Sequence, residues 1–315
     1  MDEFPLIIES KSLTRTFRQT RAVDALDLSI RRGEIFGLVG PDGAGKTTIL
    51  RLLAGLLDIT EGSLTVDGHD LASDAEIVKP LIGYMAQQFS LYSELTVQEN
   101  LAFFADIFDV MGEVRQERVR RLLTFARLTE FEDRRAAHLS GGMQKKLALA
   151  CTLIHEPKIL LLDEPTTGVD PVSRREFWDI LTDLYMSGTT IVISTPYMDE
   201  ADRCSRVGLV YHGRLVICDE PRKIRRMVEG EIIEFRPDDW RRTTKMIQNL
   251  PGVLEVQTYG EMLHVFLDSV EKRLPIIEAT LRDAGISYRG LRRAPARMEE
   301  AFISLIRGMD SPEIS

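Results

Sequence analysis

The sequence predicts an α/β protein built on a phosphate-binding loop, followed by a small α+β domain of the ferredoxin-like type. A glycine-rich stretch lies between an apolar strand and a helix, and a later apolar strand ends in two adjacent carboxylates. After residue 230 the predicted elements follow the order β-α-β-β-α-β, which is that of the ferredoxin-like motif. We therefore expect a first domain over residues 1–230 and a second over residues 231–315.

Composition limits the protein classes that fit. The chain has 315 residues, of which 44% are hydrophobic, and a net charge of −9, which argues against a nucleic-acid partner. No apolar run is long enough to span a bilayer, and the acidic start, Met1 to Phe4, lacks a signal-peptide pattern. The three scattered cysteines indicate reduced thiols in the cytosol, with Cys151 in the apolar pattern of a core helix.

The first part of the chain reads as a series of strands. Ala22 to Ile30 alternates polar and apolar side chains, as in a half-buried antiparallel strand. A turn at Arg31 to Glu34 leads into the apolar run Ile35 to Val39, which is typical of a buried strand. Ser63 to Val66 predicts a short strand that ends at the turn Asp67-Gly68.

The stretch after Val39 fits the phosphate-loop pattern G-x-x-x-x-G-K-[ST]. It lies between a strand and the predicted helix Thr48 to Leu57, which is the context that the pattern requires, although a chance glycine-rich turn is the alternative. Glycines let backbone N–H groups approach phosphates, and Lys46 and Thr47 are expected to reach the β/γ-phosphates and Mg²⁺ respectively. The nine loop residues are Gly40, Pro41, Asp42, Gly43, Ala44, Gly45, Lys46, Thr47 and Thr48.

The middle of the chain predicts a helical subdomain at about residues 88–150. Residues 96–109 and 113–128 read as amphipathic helices, and residues 143–154 as a third helix capped by Ser140. Two glycines at the start of that third helix open a backbone site for an anion.

A βαβ unit follows the helical subdomain. Lys158 to Leu162 and Thr189 to Ser194 are continuous apolar runs typical of buried parallel strands, and the helix Val172 to Met186 joins them. The first strand runs into Asp163 and Glu164. In a phosphate-loop protein Asp163 would hold Mg²⁺ through water, and Glu164 would polarise the attacking water as general base.

The composition shifts after Glu220-Pro221. A short helix over residues 222–229 is expected to precede the second domain. The predicted strands of that domain are 231–235, 253–258, 261–267 and 286–292, and its predicted helices are 238–249, 271–284 and 298–307.

With Leu139-Ser140-Gly141-Gly142-Met143, the chain resembles the ATP-binding cassette (ABC) ATPases over roughly residues 6–230. The resemblance implies a RecA-like core with an antiparallel β subdomain, and ATP and Mg²⁺ as cofactors. It also implies that Ser140, Gly141 and Gly142 form the signature motif, which binds the γ-phosphate of ATP held by the opposite subunit.

Three further positions match motifs of this family. Phe17 matches the aromatic residue that stacks on adenine, although a strand core residue is the alternative. Gln87 matches the glutamine that contacts Mg²⁺ or the attacking water, with Gln88 as a rival in register. Asp170 matches the aspartate that organises the dimer seam, and a solvated turn would look similar there.

One position departs from the family pattern. Pro196 stands where the family usually has a histidine that bonds the γ-phosphate. Proline offers no side-chain donor and no backbone N–H, so hydrolysis at this site should be weak unless a neighbouring side chain or water substitutes. ATP binding should survive, because its main contacts come from the phosphate loop and Mg²⁺.

The resemblance implies an ATPase subunit that powers a membrane exporter. Met298 to Phe302 resembles the tail of bacterial drug- and lipid-type exporter ATPases, and Phe89 to Leu101 would help to form the groove for a separate permease. The expected location is the cytoplasmic face of the bacterial inner membrane. A second ABC chain is expected, with a heteromer favoured over a homodimer. A binding-only regulatory cassette and a non-transport ABC protein are the alternatives.

Overall fold

A computed structural model describes residues 5–88 and 91–310. The chain divides into two compact units, Met1–Pro221 and Arg222–Ser315. The sequence places the second domain at residue 231, where the first strand of the second unit begins, whereas that unit itself begins at Arg222.

The first unit alternates strands and helices. Its elements are β1 Leu6–Phe17, β2 Thr20–Arg31, β3 Ile35–Val39, α1 Lys46–Leu53, β4 Glu61–Val66, β5 His69–Asp70, α2 Ala75–Val78, β6 Ile82–Met85, α3 Val97–Ile107, α4 Gly112–Phe125, α5 Gly141–Thr152, β7 Ile159–Asp163, α6 Pro171–Met186, β8 Thr190–Thr195, α7 Met198–Ala201, β9 Arg206–Tyr211 and β10 Arg214–Asp219.

A six-stranded sheet forms the centre of this unit, in the order β10-β9-β3-β8-β7-β6. All of its pairs are parallel except that of the edge strand β10 with β9. Every residue of β3, β7 and β8 is buried, as expected for apolar strands covered on both faces. Because parallel strands end at one edge of a sheet, the segments that follow these three strands emerge side by side.

A second sheet in the first unit is antiparallel, in the order β2-β1-β4-β5. Apolar side chains on its inner face, including Ile8, Leu26 and Leu64, share a core with Phe36 of β3 and Leu50 of α1. This shared core packs the antiparallel sheet against the phosphate-loop strand and helix. The antiparallel β subdomain predicted from the resemblance is confirmed.

Helices α3, α4 and α5 lie between β6 and β7 and form the helical subdomain. A capping box of Thr96 and Glu99 starts α3. The buried Asn100 side chain donates to the carbonyl oxygens of Tyr92, Leu95 and Thr96, which orders the segment before the helix. Residues 89–90, part of the expected permease groove, lie outside the described residues.

The second unit has the ferredoxin-like topology. Its four strands form one antiparallel sheet in the order β12-β13-β11-β14, which confirms the fold predicted from the element order. Its elements are α8 Pro221–Arg225, β11 Glu231–Pro237, α9 Trp240–Ile247, β12 Val253–Tyr259, β13 Met262–Leu267, α10 Val270–Asp283, β14 Tyr288–Ala294 and α11 Met298–Asp310.

A buried polar cluster joins α11 to the sheet. His264 Nδ1 on β13 lies 2.6 Å from Glu300 Oε1 on α11, and His264 Nε2 lies 3.1 Å from Glu234 Oε2 on β11. Arg292 on β14 donates to Glu234 Oε1. The ring of Tyr259 lies under the guanidinium of Arg297, at 4.6 Å. Arg292 and Arg297 are therefore engaged in contacts within the unit.

Several boundaries differ from those predicted. The helix α5 begins at Gly141, two residues before the predicted start at 143, because the Ser140 hydroxyl caps its first turn. The helix expected over 222–229 ends at Arg225. The short elements β5, α2 and α7 and the strands β9 and β10 were not predicted. Across residues 5–88 and 91–310, no helix has both the length and the apolar character that a membrane span requires.

Phe235 should be a large contributor to the stability of the second unit. Its ring is fully buried on β11, among Leu263 and Val265 of β13. We expect Phe235→Ala to cost about 3–5 kcal/mol through lost burial and a residual cavity. Hydrogen exchange of the β11 and β13 amides in the full chain should accelerate by about two to four orders of magnitude.

The matched control is Leu254→Ala on β12, whose side chain is 54% exposed. Exchange in this control should stay close to that of the parent chain. Equal exchange rates in the two variants would contradict the assigned core.

Candidate functional site

Three chain segments converge at the carboxyl edge of the six-stranded sheet. The phosphate loop follows β3, the carboxylates Asp163 and Glu164 end β7, and Pro196 follows β8. The phosphate loop and Glu164 border a cavity of about 380 Å³, whereas Asp163 and Pro196 are not part of its lining. The cavity is lined by Thr20, Arg21, Ala22, Gly43, Ala44, Gly45, Lys46, Thr47, Thr48, Glu164, His212 and Gly213. Sequence reasoning missed the β2 residues and His212, because nothing local to them marks a site.

The loop needs its glycines for two physical reasons. Gly43 and Gly45 have φ of 78° and 107°, which L side chains rarely adopt. A Cβ on Gly45 would lie 2.5 Å from Ala22 O, and one on Gly40 would lie 2.2 Å from Val210 O. The backbone can therefore wrap a small cavity only because these positions lack side chains.

Lys46 is held over the loop. Its ammonium donates to Gly40 O at 2.8 Å and to Pro41 O at 3.0 Å, and it lies 3.4 Å from Glu164 Oε1. The side chain is only 4% exposed. A buried cation with carbonyl partners and a single nearby carboxylate is well placed to hold phosphate oxygens.

Asp163 and Thr47 fit a bound Mg²⁺ ion. The hydroxyl groups of Thr47 and Ser194 donate to Asp163 Oδ1 at 3.0 and 2.7 Å. The other oxygen, Oδ2, is buried and accepts no hydrogen bond from the described residues. A buried carboxylate oxygen without a donor beside a threonine hydroxyl matches the oxygen ligands that Mg²⁺ prefers.

Glu164 lies at the centre of the site. Its carboxylate accepts from Gln87 Nε2 at 2.8 Å and from Thr167 Oγ1 at 3.3 Å. Its backbone takes the unusual φ of 46°, and its N–H donates to Ser194 Oγ at 3.0 Å. This hydrogen bond brings the side chain of Gln87 to Glu164, and both Gln87 and Gln88 line a neighbouring cavity.

That neighbouring cavity, of about 440 Å³, lies between the Gln87 segment, the start of α5 and the segment after Glu164. Gly141 and Lys145 line it. The Lys145 ammonium donates to Gln87 O at 2.8 Å, and burial lowers its pKa although Asp163 and Glu164 oppose that effect. Sequence reasoning missed Lys145, because its partner is 58 residues away.

The residues of the Ser140 motif serve different purposes. The Ser140 hydroxyl accepts from Met143 N, so it caps α5. A Cβ on Gly142 would lie 2.5 Å from Ser173 Oγ on α6, whereas a Cβ on Gly141 would meet open space. These three residues do not line the phosphate-loop cavity of their own chain.

The remaining predicted positions lie apart from that cavity. Phe17 ends β1 with its ring 41% exposed and Arg15 4.7 Å from the ring centre, so a role in the strand core is excluded. It is absent from the cavity lining. Asp170 caps α6 by accepting from Val172 N and Ser173 N at 3.0 Å. The Ser173 hydroxyl and N–H hold the pKa of Asp170 below its usual range.

Pro196 is compatible with the hydrogen bond that closes its turn. The turn is closed by Tyr197 N, which donates to Thr195 Oγ1 at 3.0 Å. The turn therefore needs no N–H from residue 196, and proline can occupy it. Its half-buried ring offers the site no donor.

Known proteins resemble this chain in sequence and in fold. The family model for ABC transporters matches residues 23–167. The probable multidrug ABC transporter ATP-binding protein YbhF of Escherichia coli (strain K12) is 42% identical over 300 residues, which cover 93% of this chain and 50% of YbhF. This chain thus spans half the length of that relative.

Two further comparisons cover most of the other protein. The Nod factor export ATP-binding protein I of Sinorhizobium fredii is 36% identical over 300 residues, 95% of this chain and 85% of that protein. The dimeric ATP-binding cassette MJ0796, solved in a post-hydrolysis state with ADP and Pi, has a TM-score of 0.62 at 28% identity. It covers 68% of this chain and 98% of its own.

Lys46→Ala tests the phosphate loop directly. Hydrogen bonds to charged groups contribute about 1.5–3 kcal/mol, so we expect the Kd for ATP, measured by calorimetric titration, to rise at least about tenfold. Lys79→Ala is the control, because Lys79 is exposed and paired with Glu76 away from the loop. An affinity within about twofold of the parent chain in Lys46→Ala would contradict the assigned loop.

Proposed function

This chain belongs to the ABC transporter ATP-binding family, and we propose that it binds and hydrolyses ATP to drive export through separate membrane permease subunits. The observation that carries the proposal is the convergence of Lys46, Asp163, Glu164 and Gln87 at one sheet edge. A buried cation, a carboxylate with a free oxygen and a second carboxylate held by an amide are the groups that phosphoryl transfer to water needs.

Each side chain has a distinct task in this proposal. The phosphate loop and Lys46 hold the β- and γ-phosphates, and Thr47 and Asp163 hold Mg²⁺, which neutralises charge on the phosphates when bound. Glu164 accepts a proton from the attacking water. Gln87 orients the Glu164 carboxylate through the hydrogen bond at 2.8 Å.

Export is favoured by the relatives and by the second unit. YbhF carries a multidrug transporter name and the Sinorhizobium protein a Nod factor export name. Both alignments extend over more than nine-tenths of this chain and therefore include most of the ferredoxin-like unit. We propose that the chain acts at the cytoplasmic face of the membrane, where its ATP hydrolysis drives the permease subunits.

Pro196 defines a second proposal, that turnover at this chain's own phosphate loop is weak. The proline supplies no donor to the phosphates, and losing a positioned polar group typically costs about 10²–10⁴-fold in rate. Glu164 and its partners are nevertheless in place. The predicted outcome is a site that binds ATP well and hydrolyses it slowly.

The competing proposal is that the chain is a regulatory cassette. The intact Ser140 motif supports this proposal. Gly141 has open space above it, and Ser140 already caps the helix, so the start of α5 is free to receive a phosphate from another chain. In this view the chain completes a partner's active site without turnover of its own. A pair of different cassettes, one strong and one weak, would result.

Measured ATPase rates separate these proposals. The purified chain is compared alone, with its permease, and with permease and a second cassette. Turnover that needs the permease supports the exporter subunit. Turnover that depends on the second cassette's own catalytic glutamate and survives Glu164→Gln here supports the regulatory cassette.

Pro196→His should raise the ATPase rate at this site by at least about tenfold, because it restores a donor to the phosphates. Single-turnover hydrolysis of bound ATP is the direct measurement. Pro196→Ala is the control, since alanine also lacks a polar side chain, and it should give no gain. The gain from histidine should vanish in a Glu164→Gln background, and its absence in the folded single variant would contradict the role given to Pro196.

In an asymmetric pair, Ser140→Arg should impair turnover at the partner's phosphate loop, because the arginine would fill the space where the partner's phosphate docks. Glu164→Gln in this chain should matter less, since its own loop turns over slowly. Both variants are assayed in the complex with permease and the second chain. A homodimer with two equally active sites would refute the asymmetric arrangement.

A further inference from the structure

A buried carboxylate outside the phosphate-loop cavity links three segments of the site. Glu200, on α7, is 1% exposed. Its Oε1 accepts from Thr166 Oγ1 at 2.7 Å and from Trp178 Nε1 at 3.2 Å, and its Oε2 accepts from Thr195 Oγ1 at 2.7 Å. One carboxylate thus connects the segment after β7, the end of β8 and the helix α6.

Two of these contacts lie next to the groups assigned to chemistry. Thr166 is the second residue after Glu164. Thr195 follows Ser194, whose hydroxyl donates to Asp163 Oδ1 and accepts from Glu164 N. A movement of Glu164 or Asp163 is therefore passed to the hydroxyl donors of Glu200 within one or two residues along the backbone.

We propose that Glu200 is a positioning residue that couples the state of the phosphate loop to helix α6 through Trp178. The proposal rests on the proposed binding of ATP at this loop. Glu200 touches neither the cavity of the loop nor the assigned Mg²⁺ ligands directly. It acts through Thr166 and Thr195 on one side and through the Trp178 indole on the other.

The hydrogen bonds to Glu200 resist breaking because its carboxylate is buried. A buried carboxylate must keep its donors, because an unpaired one in a dry interior costs several kcal/mol. Arg174 is a nearby cation, whose Nε lies 3.8 Å from Oε1 and whose guanidinium lies 4.4 Å from the Tyr197 ring centre, and the guanidinium of Arg203 lies 5.5 Å from the Trp178 ring centre. Arg174, a residue of α6, thus contacts the turn that contains Pro196.

The position of α6 indicates which part of the chain the coupling would move. The helix begins at its cap Asp170, and Ser173 in its first turn meets Gly142 of the signature segment. A shift of α6 that follows ATP binding would therefore move the start of α5 in the same chain. Occupancy of one phosphate loop would in this way alter the surface offered to a partner's ATP.

Trp178 provides the test, because the chain has only two tryptophans and the other, Trp240, can be replaced. In a Trp240→Phe background, ATP with Mg²⁺ should change the emission of Trp178. Glu200→Gln keeps the size of the side chain but halves its acceptors, and it should reduce that change at least about twofold. ATP affinity, measured separately by calorimetry, should stay within about threefold of the parent.

Thr182→Val is the matched control. Its hydroxyl donates to the Trp178 carbonyl oxygen at 2.9 Å without touching Glu200. The emission change should survive in this variant. Thr166→Val removes one donor to Glu200 and provides a second test should Glu200→Gln fail to fold, with the same loss expected.

The outcomes separate this inference from the proposed function. Absence of ATP binding in the parent would overturn the proposed function. ATP binding without a Trp178 response, or an equal loss of response in Thr182→Val, would overturn the coupling alone. Loss of the response in Glu200→Gln or Thr166→Val, with binding retained, supports it.

Discussion

The site depends on the parallel pairing of β3, β8 and β7. Val39 lies opposite Thr195, and Asp163 lies opposite Ser194, so the three strands end at the same level. The phosphate loop, the two carboxylates and the turn at Pro196 therefore lie next to one another at that edge of the sheet. Ser194 shows the consequence, because one hydroxyl bonds both the side chain of Asp163 and the backbone of Glu164.

The fold could be predicted largely from local signals. Apolar runs marked β3, β7 and β8, and glycine spacing marked the phosphate loop. The six elements of the ferredoxin-like motif in the second unit followed from periodicity and turns. The start of α5 shifted by two residues, because a cap decides where hydrogen bonding begins. The interior strand β9 and the edge strand β10 were not among the predicted elements.

The contacts that complete the site could not be predicted, because strand order decides them. Lys145 and Gln87 are 58 residues apart, and Glu200 and Thr166 are 34 apart. The sequence around each of these residues contains no pattern that indicates its hydrogen-bond partner. The same is true of His264, which meets Glu300 only because α11 packs against the sheet. Buried polar side chains of this kind are invisible to periodicity, which registers apolar faces alone.

The turn at Pro196 has a further consequence for how this protein can change over time. The hydrogen bond that closes the turn belongs to Tyr197 and Thr195, so folding places no demand on the N–H of residue 196. If the proposed role of Pro196 holds, a histidine could take its place without the loss of that hydrogen bond. The rate of hydrolysis at this site could then differ between related chains while the turn is kept.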